Sequence, residues 1–162
     1  MAKVKRSLFR TFINTGTDLA PDYALLGEGV TTGEISYNPQ TTEETYIHED
    51  SGTTEVESYR PSMAIEASCV AGDDVFEYID TLRKARATLA DAETDIINVW
   101  MYEAEGVAGY PAEKQDVSIQ IDSFGGAGGE TNKINFTLNF LGDPIVGEFD
   151  VDTTTFTEES GS

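Results

Sequence analysis

The residues with the most evident chemical potential are a glycine-rich run, Phe124-Gly125-Gly126-Ala127-Gly128-Gly129-Glu130, one histidine, His48, and one cysteine, Cys69. A phosphate-cradling loop needs a helix after it and, in its Walker form, a Lys-Ser/Thr pair. An alternating, strand-like segment follows here instead, and Glu130 would repel a phosphate, so the run reads as a hairpin turn. His48 stands among Glu43, Glu44, Glu49 and Asp50 with no second His or Cys nearby, which fits an exposed acidic loop better than a metal centre. Cys69 shares the apolar phase of its segment with Ile65 and reads as a small core residue. A Gly-x-Ser-x-Gly elbow is missing. Thirty acids supply many accidental carboxylate pairs, so spacing alone singles out none of them. The expectation is a protein that is not an enzyme and takes no metal or cofactor.

The elements that carry these residues are mostly strands. Residues 8–13 form a short apolar stretch, followed by a turn-rich segment and the brief apolar run Tyr23-Ala24-Leu25-Leu26. Ile35 and Tyr37 alternate with Glu34, Ser36 and Asn38 up to Pro39. Met63, Ile65, Ala67 and Cys69 alternate with Glu66 and Ser68. Residues 96–102 are nearly continuously apolar and read as a centrally buried strand containing Trp100. Val117, Ile119 and Ile121 alternate with Ser118, Gln120 and Asp122, and Ile134, Phe136, Leu138 and Phe140 with Asn135, Thr137 and Asn139. Gly142-Asp143-Pro144 reads as a turn. One helix is expected, capped by Asp74 with Glu77 three residues on, striped by Val75, Ile79, Leu82 and Leu89, and ending near Ala90. Residues 39–61 are polar and rich in Thr and Glu, either a long excursion loop or a weak hairpin. Residues 153–162 read as a disordered tail. The architecture is therefore mainly β with one helix in the middle, in a single domain over residues 1–152.

Charge narrows the partners. Thirty Asp and Glu against ten Lys and Arg give −20 over 162 residues. Residues 1–10 hold Lys3, Lys5, Arg6 and Arg10 with no acid, so the remaining chain carries −24. Glu43, Glu44, Glu49, Asp50, Glu55 and Glu57 follow one another without an intervening Lys or Arg. Both segments are either simply solvated, or the basic arm of residues 1–14 pairs with the acids of another copy. Gripping a nucleic-acid backbone is disfavoured without a basic surface. The apolar runs are too short for a membrane span, and residues 8–13 too short for a signal-peptide core.

The non-core phase of the strands is unusual. Glu34, Ser36, Asn38, Glu66, Ser68, Ser118, Gln120, Asp122, Asn135, Thr137 and Asn139 include neither Lys nor Arg. Such a face either reflects an acid-rich composition or lines a passage along which a polyanion slides without sticking.

On three passages the chain resembles the major tail tube proteins of long-tailed bacteriophages and prophages. They are Ile35-Ser36-Tyr37-Asn38-Pro39-Gln40-Thr41-Thr42-Glu43-Glu44-Thr45-Tyr46-Ile47, the helix Val75-Phe76-Glu77-Tyr78-Ile79-Asp80-Thr81-Leu82-Arg83, and Ile134-Asn135-Phe136-Thr137-Leu138-Asn139-Phe140-Leu141-Gly142-Asp143-Pro144. The resemblance implies a β-sandwich or partial barrel with one flanking helix, assembling as hexameric rings stacked into a hollow tube, with each subunit lending a sheet to a shared inner β-barrel. It implies a lumen that conducts DNA, lined by the polar phase given above, and an inter-ring role for the loop at residues 39–61. The implied partners are further copies of the chain, a tape measure protein and tail terminator or initiator proteins, with no membrane. The implied location is the virion tail, after assembly from the host cytoplasm. The tube of a contractile injection system would share these features. An adhesive or carbohydrate-binding β-domain is the alternative of another class.

Overall fold

A computed structural model describes residues 2–17 and 19–159. The strands are β1 (Phe9–Asn14), β2 (Tyr23–Leu25), β3 (Val30–Ser36), β4 (Pro39–Glu44), β5 (Thr53–Tyr59), β6 (Ser62–Ser68), β7 (Glu93–Trp100), β8 (Tyr110–Gly125), β9 (Lys133–Asp150) and β10 (Thr155–Glu158). Helix α1 (Asp74–Ala85) lies between β6 and β7. Eight strands form one antiparallel sheet in the order β2-β1-β7-β8-β9-β6-β3, with β10 added to the far end of β9. The sheet curls into a half-barrel, and β4 and β5 make a small sheet of their own. The chain is thus mainly β with one helix, as its alternating segments predict.

Two apolar clusters hold the sheet. The larger joins Met63, Ile65, Val117, Ile119, Ile134, Phe136 and Leu138 to Val75 and Ile79 of α1. The smaller gathers Phe12, Tyr23, Ile97, Val99, Ala112 and Phe149. Burying each such side chain contributes about 1.5–3 kcal/mol. Strand β7 serves both clusters, with Ile96 in the first and Ile97 and Val99 in the second. This explains its continuous apolar run. Trp100, expected to be buried there, is only half-buried at the strand end.

Helix α1 begins one residue earlier than the Asp74 cap suggests. Asp73 is the N-cap, its Oδ2 accepting from the Phe76 amide at 3.0 Å, while Glu77 Oε1 accepts from the Gly72 amide at 3.2 Å. The helix stops at Ala85 because Arg86 turns left-handed (φ 48°) and its amide closes onto the Leu82 and Arg83 carbonyls. Leu89, assigned to the apolar stripe by its spacing, therefore falls outside the helix and is 84% exposed. Asp80 accepts from Arg83 at 2.7 Å and lies 3.1 Å from Lys84.

Three further expectations change. Gly142-Asp143-Pro144 does not end its strand, because β9 continues to Asp150. The pairs Asp116↔Leu141 and Lys114↔Ile145 leave those three residues bulged opposite Gln115 alone. Gly142 takes φ +68°, and Gln115 Nε2 donates to the Leu141 and Gly142 carbonyls at 2.8 and 3.2 Å. The side chain of the opposite strand thus replaces the ladder bonds that the bulge gives up. In the tail expected to be disordered, Thr155–Glu158 forms β10. Asp150 Oδ1 accepts from the Asp152 and Thr153 amides to close the turn, and Phe156 packs on the Phe149 cluster. Residues 160–162 lie outside the described residues. Of the arm assigned to residues 1–14, β1 is an interior strand between β2 and β7, and a short 3-10 turn at Arg6–Leu8 precedes it. Only the stretch ahead of that turn remains an arm.

Residues 39–61 form a hairpin rather than a loop. The register sets Thr42 opposite Glu55, Glu43 opposite Thr54 and Glu44 opposite Thr53, so no glutamate faces another in these pairs. Glu57 is the extra residue of a bulge between the Gln40↔Ser58 and Thr41↔Val56 pairs. Edge-to-face Tyr37 and Tyr59 at 6.3 Å, with the Arg60 amide donating to the Tyr37 carbonyl, close the base.

Replacing Gln115 by Ala takes the donor away from the Leu141 and Gly142 carbonyls of a solvent-exposed bulge, with an expected loss of about 0.5–1.5 kcal/mol in urea unfolding. An unchanged midpoint would refute the assignment of that side chain to the bulge. The hydrogen bond from Arg83, with Lys84 beside it, holds the Asp80 carboxyl below its ordinary value of 3.8. A carboxyl with a depressed pKa stabilises the fold above the unfolded value and loses that contribution as pH falls through the folded one. Asp80→Asn should therefore lower stability by about 0.5–1 kcal/mol at pH 7 and converge on the parent in acid, as followed by thermal melts.

Candidate assembly surface

Residues paired across antiparallel strands point to the same side of a sheet, so the register decides which polar side chains share a face. Ser36 pairs with Ser62, Ser62 with Asn139, and Asn139 with Ser118. Glu34 pairs with Ala64, Ala64 with Thr137, and Thr137 with Gln120. Thr32 pairs with Glu66, Glu66 with Asn135, and Asn135 with Ser123. Ser68 pairs with Lys133. The strand-phase residues expected to share a face therefore form three rows across β3-β6-β9-β8. Asn38 lies just past β3 with φ 45°, and its amide donates to the Ser62 hydroxyl at 3.4 Å and the Arg60 carbonyl at 3.0 Å, tying it to one corner.

The rows are cross-linked by their own side chains. Asp122 accepts from Gln120 at 2.6 Å and from Thr137 at 2.7 Å, and Asn135 donates to Ser123 at 3.0 Å. Asn139 donates to Gln120 at 3.4 Å. Asp122 reaches this face because a bulge between the Ile121 and Ser123 pairs turns two consecutive residues the same way. The charges on the face are Glu34, Glu66 and Asp122, with Lys133 at its margin and Glu93 of β7 opposite Ser118. The other phase of the same strands is the larger core, covered by α1. Thr32, Ser62, Ala64 and Ser123 belong to the face without having been selected. The first three follow from extending the alternation by one or two residues, whereas Ser123 depends on the bulge.

This four-stranded surface ends on two open edges. β3 has β6 on one side and no strand on the other among the described residues. The pairing of β7 with β8 stops at Glu93↔Ser118, so residues 119–125 of β8 bond only to β9. Neither border of this polar face carries a further strand among the described residues, although the Gly33 carbonyl of β3 accepts from Arg6, and strand edges without a partner are templates for further strands.

The basic residues divide into two groups. Arg6 donates to the Phe9 carbonyl at 2.6 Å and the Gly33 carbonyl at 3.0 Å, with its guanidinium 4.9 Å from the Phe9 ring centroid. Arg10 donates to the Ser7 carbonyl at 3.3 Å. These two bind within their own chain, and Lys3 and Lys5 stay exposed. Glu43, Glu44, Glu55 and Glu57 lie on the hairpin strands, with Glu49 and Asp50 in its connection. Among the described residues no ion pair joins the arm to these acids. His48 is exposed, 3.6 Å from Glu49. Cys69 packs against the larger core, and burial, reinforced by Asp80, pushes its thiol above the ordinary value of 9.0, the opposite of what a nucleophile needs.

Compared with models of known protein families and with curated proteins, the chain matches neither. No helix among the described residues is long and apolar enough to cross a membrane.

The register makes a sharp contrast between neighbours. Thr137→Lys on the polar face should keep stability within about 1 kcal/mol, and Phe136→Lys, one residue away but in the core phase, should cost more than about 4 kcal/mol. Thermal melts followed by circular dichroism separate the two, and comparable losses would overturn the assignment of faces.

Proposed function

We propose that this chain is a structural tail tube protein that assembles into hexameric rings stacked as a hollow tube, with DNA passing through the lumen. The observation that carries the reading is the polar, nearly cation-free face of β3-β6-β9-β8 bordered by two open strand edges. Pairing β3 of one copy with residues 119–125 of β8 in the next would extend the sheet from subunit to subunit until it closed, leaving no free edge. Closure would turn the polar face into a continuous wall. Its carboxylates and amides would repel or ignore phosphates, whereas lysines would hold them and slow transit.

Stacking is a head-to-tail contact that does not close on itself, so it yields a filament. The hairpin of residues 39–61 forms a sheet separate from the body and is suited to reach the neighbouring ring. Its acids and the −20 total charge would hold isolated copies apart until an initiator sets the first ring. A tape measure protein in the lumen and a terminator at the end complete the expected partners, in a virion tail assembled in the host cytoplasm.

Electron microscopy of the purified, concentrated protein tests this reading, with hollow filaments expected. A persistent monomer that binds glycans would replace it with the adhesive alternative. Lys substitutions at Glu34, Glu66 and Asp122 should leave filaments intact while slowing DNA passage, scored as ejection from assembled particles. Loss of filaments with an intact subunit would place these residues at a contact rather than on the lumen wall.

A further inference from the structure

Between the base of the β4–β5 hairpin and strands β7 to β9 lies a cleft of about 790 Å³. Tyr37 and Tyr59 stand on the hairpin side and Trp100 and Phe140 on the sheet side, with Glu113 among them. The neighbouring amides are committed elsewhere. Asn98 Oδ1 accepts from Thr11 at 2.9 Å, and Gln115 holds the β9 bulge. Glu113 is half-buried and forms no hydrogen bond or ion pair among the described residues. Desolvation pushes its carboxyl above the ordinary value of 4.5. Asp143 lines the same cleft, so a cationic side chain entering it would meet carboxylates beside the aromatic side chains of Tyr37, Tyr59, Trp100 and Phe140, the setting for both an ion pair and a cation–π contact.

The chain supplies such a cation in only a few places. Arg83 and Lys84 are held by Asp80, Arg83 also stacking on Phe124, and Arg6 and Arg10 are spent on carbonyls of their own chain. Arg60, Arg86, Lys114 and Lys133 form no ion pair among the described residues but stand in or directly beside the strands and helix of the body, whereas Lys3 and Lys5 are exposed on an arm without strand pairing. In its own chain Val4, Lys5 and Arg6 form one wall of an adjacent groove that Glu34, Ile35 and Tyr37 also line, with Arg6 donating to the Gly33 carbonyl. The cleft itself is open to the arm of another copy.

We infer that the Glu113 cleft is a receptor for the lysine-bearing arm, residues 2–5, of a second copy of this chain. The inference rests on the reading of the chain as a self-assembling subunit and gives that assembly a specific, charge-matched contact. It also accounts for the polarity of the chain, which carries a small basic arm and a strongly acidic body. One copy offers the cation, the next offers the carboxylate, and each copy retains an unused half of the contact for a third.

The test uses the full chain and a synthetic peptide of residues 1–8. Trp100, the single tryptophan, borders the cleft and reports directly on its occupancy. Saturable quenching or enhancement by the peptide is expected, weakened roughly fivefold or more by Glu113→Gln and by the Lys3→Ser/Lys5→Ser peptide. As a guard against misfolding, Glu113→Lys should reject the native peptide and bind the Lys3→Glu/Lys5→Glu version better than the parent does. Peptide binding unaffected by Glu113→Gln would overturn the inference. So would an intact chain whose Trp100 signal is independent of protein concentration and resists competition by the peptide, because the chain would then be filling its own cleft. The two readings fail separately. Glu113-dependent peptide binding without filaments removes the tube and keeps the receptor, whereas filaments that form equally well with Glu113→Gln remove the receptor and keep the tube.

Discussion

The long antiparallel ribbon of β8 and β9 governs the rest of the fold, because its two halves bury opposite faces. Near the glycine turn, Val117, Ile119, Ile134, Phe136 and Leu138 point into the larger core, and Ser118, Gln120, Asn135, Thr137 and Asn139 point away from it. At the far end, Ala112 and Phe149, which share the side of the polar residues, are the ones buried in the smaller core. A ribbon buried first on one side and then on the other needs a place to bend and twist between the two. The three-residue bulge at residues 142–144 lies there, and the Gln115 amide compensates its broken ladder. Without that joint the ribbon could serve one core but not both.

The exchange of faces also releases one surface of the sheet from the need to bury anything. The front of β3, β6, β9 and half of β8 needs neither apolar residues for packing nor long cations for solvation, and its short side chains bond mainly to one another. Cross-strand bonds such as Thr137 to Asp122 use up much of the hydrogen-bonding capacity of the β8–β9 part of the face. Hydrogen-bonding capacity that is already used is poorly available to a passing ligand. A wall of this kind contrasts with an adhesive surface, which would present unsatisfied donors beside exposed aromatics. The sticky parts of the sheet are instead its two backbone edges. Strand edges of this length usually carry lysine or proline as protection. β3 and residues 119–125 of β8 carry neither, each holding instead a β-bulge and one acidic side chain, Glu34 and Asp122.

Much of this could be read from residue order. Period-2 alternation located β3, β6 and the cores of β8 and β9, and it separated the polar phase from the buried one correctly because these strands face water on one side only. It reads less well where burial changes sides. Across β8 the buried positions pass from Ala112 to Val117, and across β9 from Leu138 to Phe149, so neither strand looks regular over its full length. Gly142-Asp143-Pro144 carries every local signal of a turn, yet long pairing on both flanks converts it into a bulge. The β10 strand was hidden by its polar composition. Phe156 was its one apolar signal, and the partner that gives it meaning, Phe149, is fixed by the Asp150 turn. The Glu113 cleft was invisible for another reason. Its aromatic members come from residues 37, 59, 100 and 140, and only the curl of the sheet brings them together.

The distribution of acids follows from the same architecture. A −20 chain pays for its charge in self-repulsion unless carboxylates are kept apart or matched. On the hairpin each paired glutamate faces a threonine, and on the polar face the Asp122 carboxylate is held by hydrogen bonds from Gln120 and Thr137 rather than by cations. Among the described residues only Asp80 is satisfied by two cations. The monomer is thereby left tolerably stable but electrostatically unfinished, with exposed lysines at one end and an unpartnered carboxylate in an aromatic cleft. Under the proposed assembly, contacts that consume both would form between copies, since within one chain Arg6 is held on the Gly33 carbonyl. Repulsion spread over the whole surface and attraction confined to one cleft and two edges favour ordered addition over random aggregation, because a misaligned encounter meets only the repulsive part.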